Sequence, residues 1–333
     1  MRRFLVAGAV TLVAILPTAG GASATPAYSL RVEASGTTLD PGTLYAVRDP
    51  VGTQRGELQG AGNCVRAPGD ISVGGRTALG LAASAANASA ALRPLLIVED
   101  SFGRRICRIG GSNETDTPFT GWLYRVNHVA PTLSAELVPI KPTDQVLWVF
   151  ANFGTGANTG DELVLTGPFR AAPGTVQVQV QAVAFDGAVS PAPDGTMVTG
   201  GTSPATTAGG IAAVPVNQST TLRAVGAGSA PIEIPSNELS LCVLANPRDC
   251  PPVPGKRFVG TNLRDSFKGG GGADRIRTRG GKDKVRVIGG AADRVDCGKG
   301  KDVAIVDPTD RIKSCEKVRR SGEGKKKKGQ AKR

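Results

Sequence analysis

The chain has 333 residues, with 45 Gly, 23 Pro, aromatics at 4% and a single His. Gly and Pro at that density interrupt a chain too often for long helices and favour short strands joined by turns. With one His, no C-x-x-C, no G-x-S-x-G and no H-E-x-x-H, the zinc sites and the common hydrolase chemistries have no signature here. The net charge of +12 is uneven: residues 256–333 carry 24 Lys+Arg against 10 Asp+Glu, and the preceding chain 16 against 18. The basic character therefore belongs to one end, and it is there that an anionic partner is expected.

Met1-Arg2-Arg3, an apolar run from Phe4 to Leu16 and a small-residue exit ending Ala22-Ser23-Ala24 have the order of a secretory signal peptide, residues 1–24. The run is too short to span a bilayer, which takes about 20 residues, and no Cys marks a lipoprotein cleavage site. The expected product is exported, extracellular or associated with the cell wall. Six cysteines in an exported chain suit disulfides. Sequence proximity pairs Cys64 with Cys107, Cys242 with Cys250 and Cys297 with Cys315, each inside one compositional segment.

Residues 25–155 read as a small α+β domain. Tyr28–Glu33 alternates as a half-buried strand, and Arg76–Ala86 is Ala-rich with helical spacing. Strands return at Leu95–Glu99, Arg104–Ile109, Trp122–Val126 and Gln145–Phe150. Gly121-Trp122-Leu123-Tyr124-Arg125-Val126-Asn127, followed by Lys141-Pro142-Thr143-Asp144-Gln145-Val146-Leu147-Trp148, resembles the closing motif of secreted bacterial domains similar to the C-terminal β domain of transcobalamin. The resemblance implies that Trp122 and Trp148 lie on neighbouring strands. His128 stands where that family has Gly, and Thr143-Asp144 replaces its Gly-Asp, so no ligand specificity carries over. The strand aromatics read first as core, and His128 as a turn residue with no second metal ligand at close spacing.

Phe153–Gly160 reads as a flexible stretch, after which residues 165–245 read as a β-sandwich. Thr175–Val183 alternates Val and Gln, and short strands follow at Gly210–Val216, Thr220–Val225 and Leu239–Val243. Thr206–Ala212 with Thr221-Leu222-Arg223-Ala224 resembles the turn pattern of bacterial immunoglobulin-like modules, which implies a spacer.

Within residues 256–318, Asp265, Asp274, Asp283, Asp293, Asp302 and Asp310 recur at intervals of 9, 9, 10, 9 and 8. Two places after each stands Phe267, Ile276, Val285, Val295, Ala304 or Ile312. A period of this kind predicts a parallel β-roll, in which each repeat lends a turn and a short strand to a shared core. Gly269–Arg277 completes the pattern Gly-Gly-x-Gly-x-Asp-x-(apolar)-x, which resembles the hemolysin-type calcium-binding repeats of bacterial exoproteins. That resemblance implies Ca²⁺ held by turn carbonyls and aspartates at Gly270, Gly272, Asp274, Gly281, Asp283, Asp293 and Asp302. The competing reading is that the aspartates bond the backbone of their own turns, while Arg279, Lys282, Lys284, Lys299 and Lys301 oppose a cation. Residues 319–333 hold no core former and read as a disordered basic tail.

The whole is expected to be mainly β and multidomain: an exported, non-catalytic surface or wall-associated binding protein. Its basic C-terminus would meet an anionic cell-wall polymer, a polysaccharide or a membrane surface, with no specific nucleic acid. The alternative is a secreted binder of a small, corrinoid-like ligand, which needs an open apolar pocket beside Trp122, Tyr124 and Trp148.

Overall fold

The computed structural model describes residues 25–322 apart from 35, 102, 117, 118, 227, 229 and 230. The leader 1–24 and the tail from 323 onward lie outside the described residues. The fold is mainly β, in three units whose cores are separate clusters of buried residues.

The first unit runs through β1 (Ala27–Ala34), β2 (Thr37–Ala46), β3 (Val51–Gln59), β4 (Asn63–Val73), α1 (Ala78–Ala88), β5 (Leu95–Asp100), β6 (Gly103–Ile109), β7 (Ser112–Asn113), β8 (Thr115–Asp116), β9 (Phe119–Val126) and β10 (Gln145–Asn152). One sheet has the order β2-β1-β10-β9-β8 and the other β4-β3-β5-β6-β7. The helix shares one core with both sheets, and eight of its residues are buried, including Leu79, Leu81 and Ala85. A helix that is apolar nearly all round belongs inside. Thr77 starts it, its hydroxyl accepting the Gly80 N–H at 3.0 Å.

The second unit holds β11 (Glu162–Thr166), β12 (Arg170–Ala171), β13 (Gly174–Val183), β14 (Val189–Pro191), β15 (Met197–Thr199), β16 (Ala205–Thr206), β17 (Ile211–Val216), β18 (Thr220–Val225) and β19 (Leu239–Val243). β13 pairs with β11, β14 and β17, and faces the sheet β12-β19-β18-β15-β16. Val176, Val178 and Val180 of β13 are buried, with Leu222, Leu241 and Val243 opposite, as the Val/Gln alternation requires.

The third unit is a two-sided coil of short parallel strands: β20 (Arg257–Val259), β21 (Ser266–Lys268), β22 (Arg275–Arg277), β23 (Gly280–Gly281), β24 (Lys284–Arg286), β25 (Arg294–Asp296), β26 (Lys299–Gly300), β27 (Val303–Val306), β28 (Arg311–Lys313) and β29 (Lys317–Arg320). β20, β22, β25 and β28 form one wall, and β21, β24, β27 and β29 the other. Phe267, Ile276, Val285, Val295 and Ala304 are buried between the walls, with Ile312 packed against them. The basic tail starts later than the composition suggests: Arg319 and Arg320 belong to β29, and the Arg320 guanidinium donates to the carbonyls of Asp307 and Pro308 at 2.9 and 3.1 Å. Neighbouring Lys and Arg hid a strand whose partner, β27, comes from the previous coil.

The cysteines pair as proximity suggested, Cys64 with Cys107, Cys242 with Cys250 and Cys297 with Cys315. Three disulfides fit an oxidising compartment, and among the described residues no helix is long and apolar enough to cross a membrane.

The order of the units in the chain is not their order in space. β20 pairs in parallel with β2, Leu44 opposite Phe258 and Tyr45 opposite Val259, so one wall of the roll extends the first unit's sheet to nine strands. Thr25 ties the start of the chain to the roll, its N–H donating to Ser266 O at 2.7 Å. The sandwich is therefore no spacer between the two. It lies against the first unit through buried charges, and the stretch expected to be flexible is pinned, with Gly160 N donating to Ile232 O at 3.0 Å and Asn158 Nδ2 to Phe150 O at 2.8 Å.

Candidate anion-binding face

The repeat aspartates divide between the two edges of the roll. On one edge Asp265 N–H donates to Asp283 Oδ1 and Asp283 N–H to Asp302 Oδ1, both at 2.7 Å. On the other, Asp274 N–H donates to Asp293 Oδ1 at 2.7 Å and Asp293 N–H to Asp310 Oδ1 at 2.8 Å. The carboxylates of Asp283, Asp293, Asp302 and Asp310 thus stitch their coils to the one before, 17 to 19 residues earlier, whereas Asp265 caps its own turn at Thr261, and all are at most 5% exposed. Burial pushes Asp283 up to about 6, aided by the charges of Asp265 and Asp302 and opposed by its hydrogen bonds. Burial likewise pushes Asp293 up to about 6, with Asp310, Asp274 and Asp307 adding to it.

The donors expected for calcium are largely spent inside the roll. Asp274 accepts the Lys256 N–H at 2.8 Å and the Gly270 N–H at 2.9 Å. The carbonyls of Arg279 and Gly281 accept Lys299 N–H and Lys301 N–H from the next coil, at 2.9 and 3.3 Å. Gly272 and Gly281 are glycines because coils touch there: a Cβ would lie 2.4 Å from Pro254 O and 2.3 Å from Leu263 O, and Gly281 has φ +130°. Asp283 Oδ2 and Asp302 Oδ2 remain buried without a partner. Ca²⁺ takes six to eight oxygens, yet among the described residues no three His, Cys, Asp or Glu side chains converge. The repeat aspartates serve the roll as hydrogen-bond acceptors, and no side-chain cage for calcium stands among the described residues. Calorimetric melts of the full chain in millimolar Ca²⁺ and in chelator are expected to coincide at matched ionic strength, and a higher midpoint with Ca²⁺ would restore the ion.

The aromatic trio also falls elsewhere than expected for a ligand platform. β9 and β10 are neighbours, with Tyr124 opposite Trp148 and Trp122 opposite Phe150. Trp148 is 2% exposed, its indole N–H 3.3 Å from Ala78 O. Tyr124 stacks on it at 5.2 Å, and Trp122 packs on Phe150 at 5.1 Å. These rings build the core instead of flanking an open pocket.

His128 is a turn residue, with φ 71°, but it also has a partner that no local pattern signalled. Its Nδ1 lies 3.0 Å from Oε1 of Glu162 in β11, and Arg31 of β1 donates to the same oxygen at 2.9 Å. Arg125, 1% exposed, donates to Val183 O and Ala184 O at 2.8 and 3.1 Å. Arg223 of β18 reaches back to Glu33 and Thr38 of the first unit. Burial alone would raise Glu162, but the His128 hydrogen bond and the charges of Arg31, His128 and Arg125 hold it below the usual carboxylate range. This network clasps the sandwich to the first unit.

What remains is the outer face of the roll. Side chains alternate across a strand, so on β20, β22, β25 and β28 the residues flanking the buried apolar one both point outward. Register puts Arg257, Arg275, Arg294 and Arg311 in one column, all exposed. No ion pair engages any of the four among the described residues, whereas in the next column Lys313 lies 3.6 Å from Asp296. The columns floor a groove of about 640 Å³, walled by Leu39, Pro41, Ala88 and Ala90 of the first unit. The repeat Asp-Arg-(apolar) at 274, 293 and 310 was legible in the sequence. Its meaning was not, because at a nine-residue period alternate repeats fall on opposite walls, and only every second one carries Arg.

No family model matches the chain, and neither a curated protein nor a solved structure matches it. Function is therefore argued from the site itself.

Proposed function

We propose that the chain is an exported, non-catalytic binding protein that attaches to an anionic polymer at the cell surface or wall through the outer face of its roll. The observation that carries this is the unneutralised column Arg257, Arg275, Arg294 and Arg311, lying in a groove. A tail of lysines beyond residue 324 adds non-specific attraction. The disulfides support export, and the clasped units supply a rigid body on which the face is fixed.

Full chain and a chain ending at Glu323 are both expected to be retained on an immobilised polyanion at about 0.05 M salt and released by about 0.5 M, because exposed charges act through screened attraction. The shorter chain should elute somewhat earlier, with an unchanged melting midpoint. If the shorter chain is not retained at all, the tail alone carries binding and the roll is not the seat of it.

A further inference from the structure

Arginine, not lysine, stands at all four positions of the column, and its planar fork grips carboxylate, sulfate or phosphate oxygens two at a time. The four lie on successive parallel strands, so they step along the roll by about 4.8 Å. Like charges directly opposite one another on neighbouring strands destabilise a sheet. Lys268 and Arg286 neighbour one another on the other wall, but Ile305 then interrupts that column before Arg319. On the groove side nothing interrupts it: Arg257 pairs with Arg275, Arg275 with Arg294 and Arg294 with Arg311. Asp296 on the groove floor pairs with Lys313 and Asp40 at its wall with the Tyr45 hydroxyl, so a stack that repels itself and forms no ion pair with the chain's acids fits a ligand that brings one anion to each step.

The groove narrows the ligand further. It is bounded by the first unit at one side, a shape that suits a single extended chain better than a flat bilayer. Its two rings offer no platform for bases: Tyr45 is 3% exposed with its hydroxyl on Asp40, and Phe258 packs inward against Phe267 at 5.7 Å. Single-stranded nucleic acid is held largely by such stacking. A chain of acidic sugars, by contrast, needs no stacking platform and brings a carboxylate or sulfate with each ring.

We infer that the groove binds one chain of an acidic polysaccharide, running along the roll axis with one sugar carboxylate or sulfate on each coil's arginine. The inference rests on the polyanion reading above and adds the ligand, its direction and its stoichiometry.

The test is calorimetric titration of the full chain with oligogalacturonates of increasing length and with a sulfated oligosaccharide series, at fixed salt. Affinity is expected to climb with length and level off at about four sugars, one per strand of the wall. Arg275→Gln/Arg294→Gln should weaken binding by about tenfold or more. Lys284→Gln/Arg286→Gln, an equal charge removed from the opposite wall, should change it by less than about threefold. Both doubles alter exposed side chains, and melting midpoints no lower than that of the wild type would establish that they fold. Equal losses in the two doubles, or affinity that rises with length without levelling, would overturn the groove while leaving polyanion binding intact. Preference for length-matched polyphosphate, oligothymidylate or phosphatidylglycerol vesicles would overturn the sugar assignment. Failure of the wild type to bind any polyanion would remove the function proposed above as well.

Discussion

Glu162→Gln is expected to cost about 3 kcal/mol of folding stability, among the largest effects of any single polar substitution in the chain. The carboxylate is 1% exposed and answers Arg31, His128 and, at 4.0 Å, Arg125, which is itself 1% exposed. Removing it leaves Arg125 away from water without its ion-pair partner and Arg31 with Glu33 alone, 3.5 Å from its Nε, and an unpaired buried charge costs far more than the pair contributed. Removing both sides of a contact should therefore cost less than the sum of the single losses, so Glu162→Met with Arg31→Met is expected to recover part of the stability. Equilibrium denaturation of Glu162→Gln, of Glu162→Met and Arg31→Met singly, and of the double variant measures this. A loss below about 1 kcal/mol for Glu162→Gln would mean that water reaches the clasp and that the units are only loosely joined. The pH dependence has a definite sign. Glu162 is held below its ordinary value of 4.5, so its contribution is present above about pH 4.5 and is lost as pH falls through the lowered value.

The clasp shows where sequence patterning stops. Strands that alternate, such as Thr175–Val183, or that form an apolar run, such as Leu95–Glu99, declare themselves locally, because burial of one face or both is written into adjacent residues. The cysteine pairs did so too, each closing within 43 residues or fewer. Arg31 and Glu162 are 131 residues apart, and nothing beside either announces the other. The β2 to β20 join is equally silent. Thr37–Ala46 carries Gly and Pro and shows no clean alternation, yet a bulged strand there offers its free edge to the roll. Treating the units as beads on a chain followed from that silence, and it hid the groove, whose floor is roll and whose wall is the first unit.

The repeats were legible as a roll, but their aspartates read differently once the coils are stacked. A period of nine residues places the carboxylates on two edges, and stacking brings all but Asp265 against a backbone N–H of a neighbouring coil. What the family resemblance assigns to calcium is taken up here by hydrogen bonds, which leaves buried carboxylates in columns of like charge.

That arrangement predicts an unusual response to acid: the melting midpoint should rise by roughly a few degrees as pH falls from 8 to 5. Burial pushes Asp283 and Asp293 up to about 6 in the folded protein, from an ordinary value of 3.8. A carboxyl whose folded value is raised disfavours folding when ionised, so its penalty is fully present above pH 6 and fades as pH drops toward 4. Protonation also removes the charge from Asp283 Oδ2, which is buried without a partner, and relieves the repulsion from Asp265 and Asp302. The opposing loss from Glu162 sets in only below about pH 4.5, while Glu33, Glu114 and Asp265, also raised by burial, act in the same direction as the roll pair, so the share of Asp283 and Asp293 is read from a variant. Asp283→Asn with Asp293→Asn keeps an oxygen for each backbone N–H while removing the titrating charge. Whatever the double variant costs at pH 5, the difference between its midpoints at pH 8 and pH 5 should shrink toward zero, while the wild-type difference persists. A wild-type midpoint that falls steadily over the same window, with the variant falling in parallel, would show that the edge carboxylates are ordinary solvated acids and that the columns are open to water.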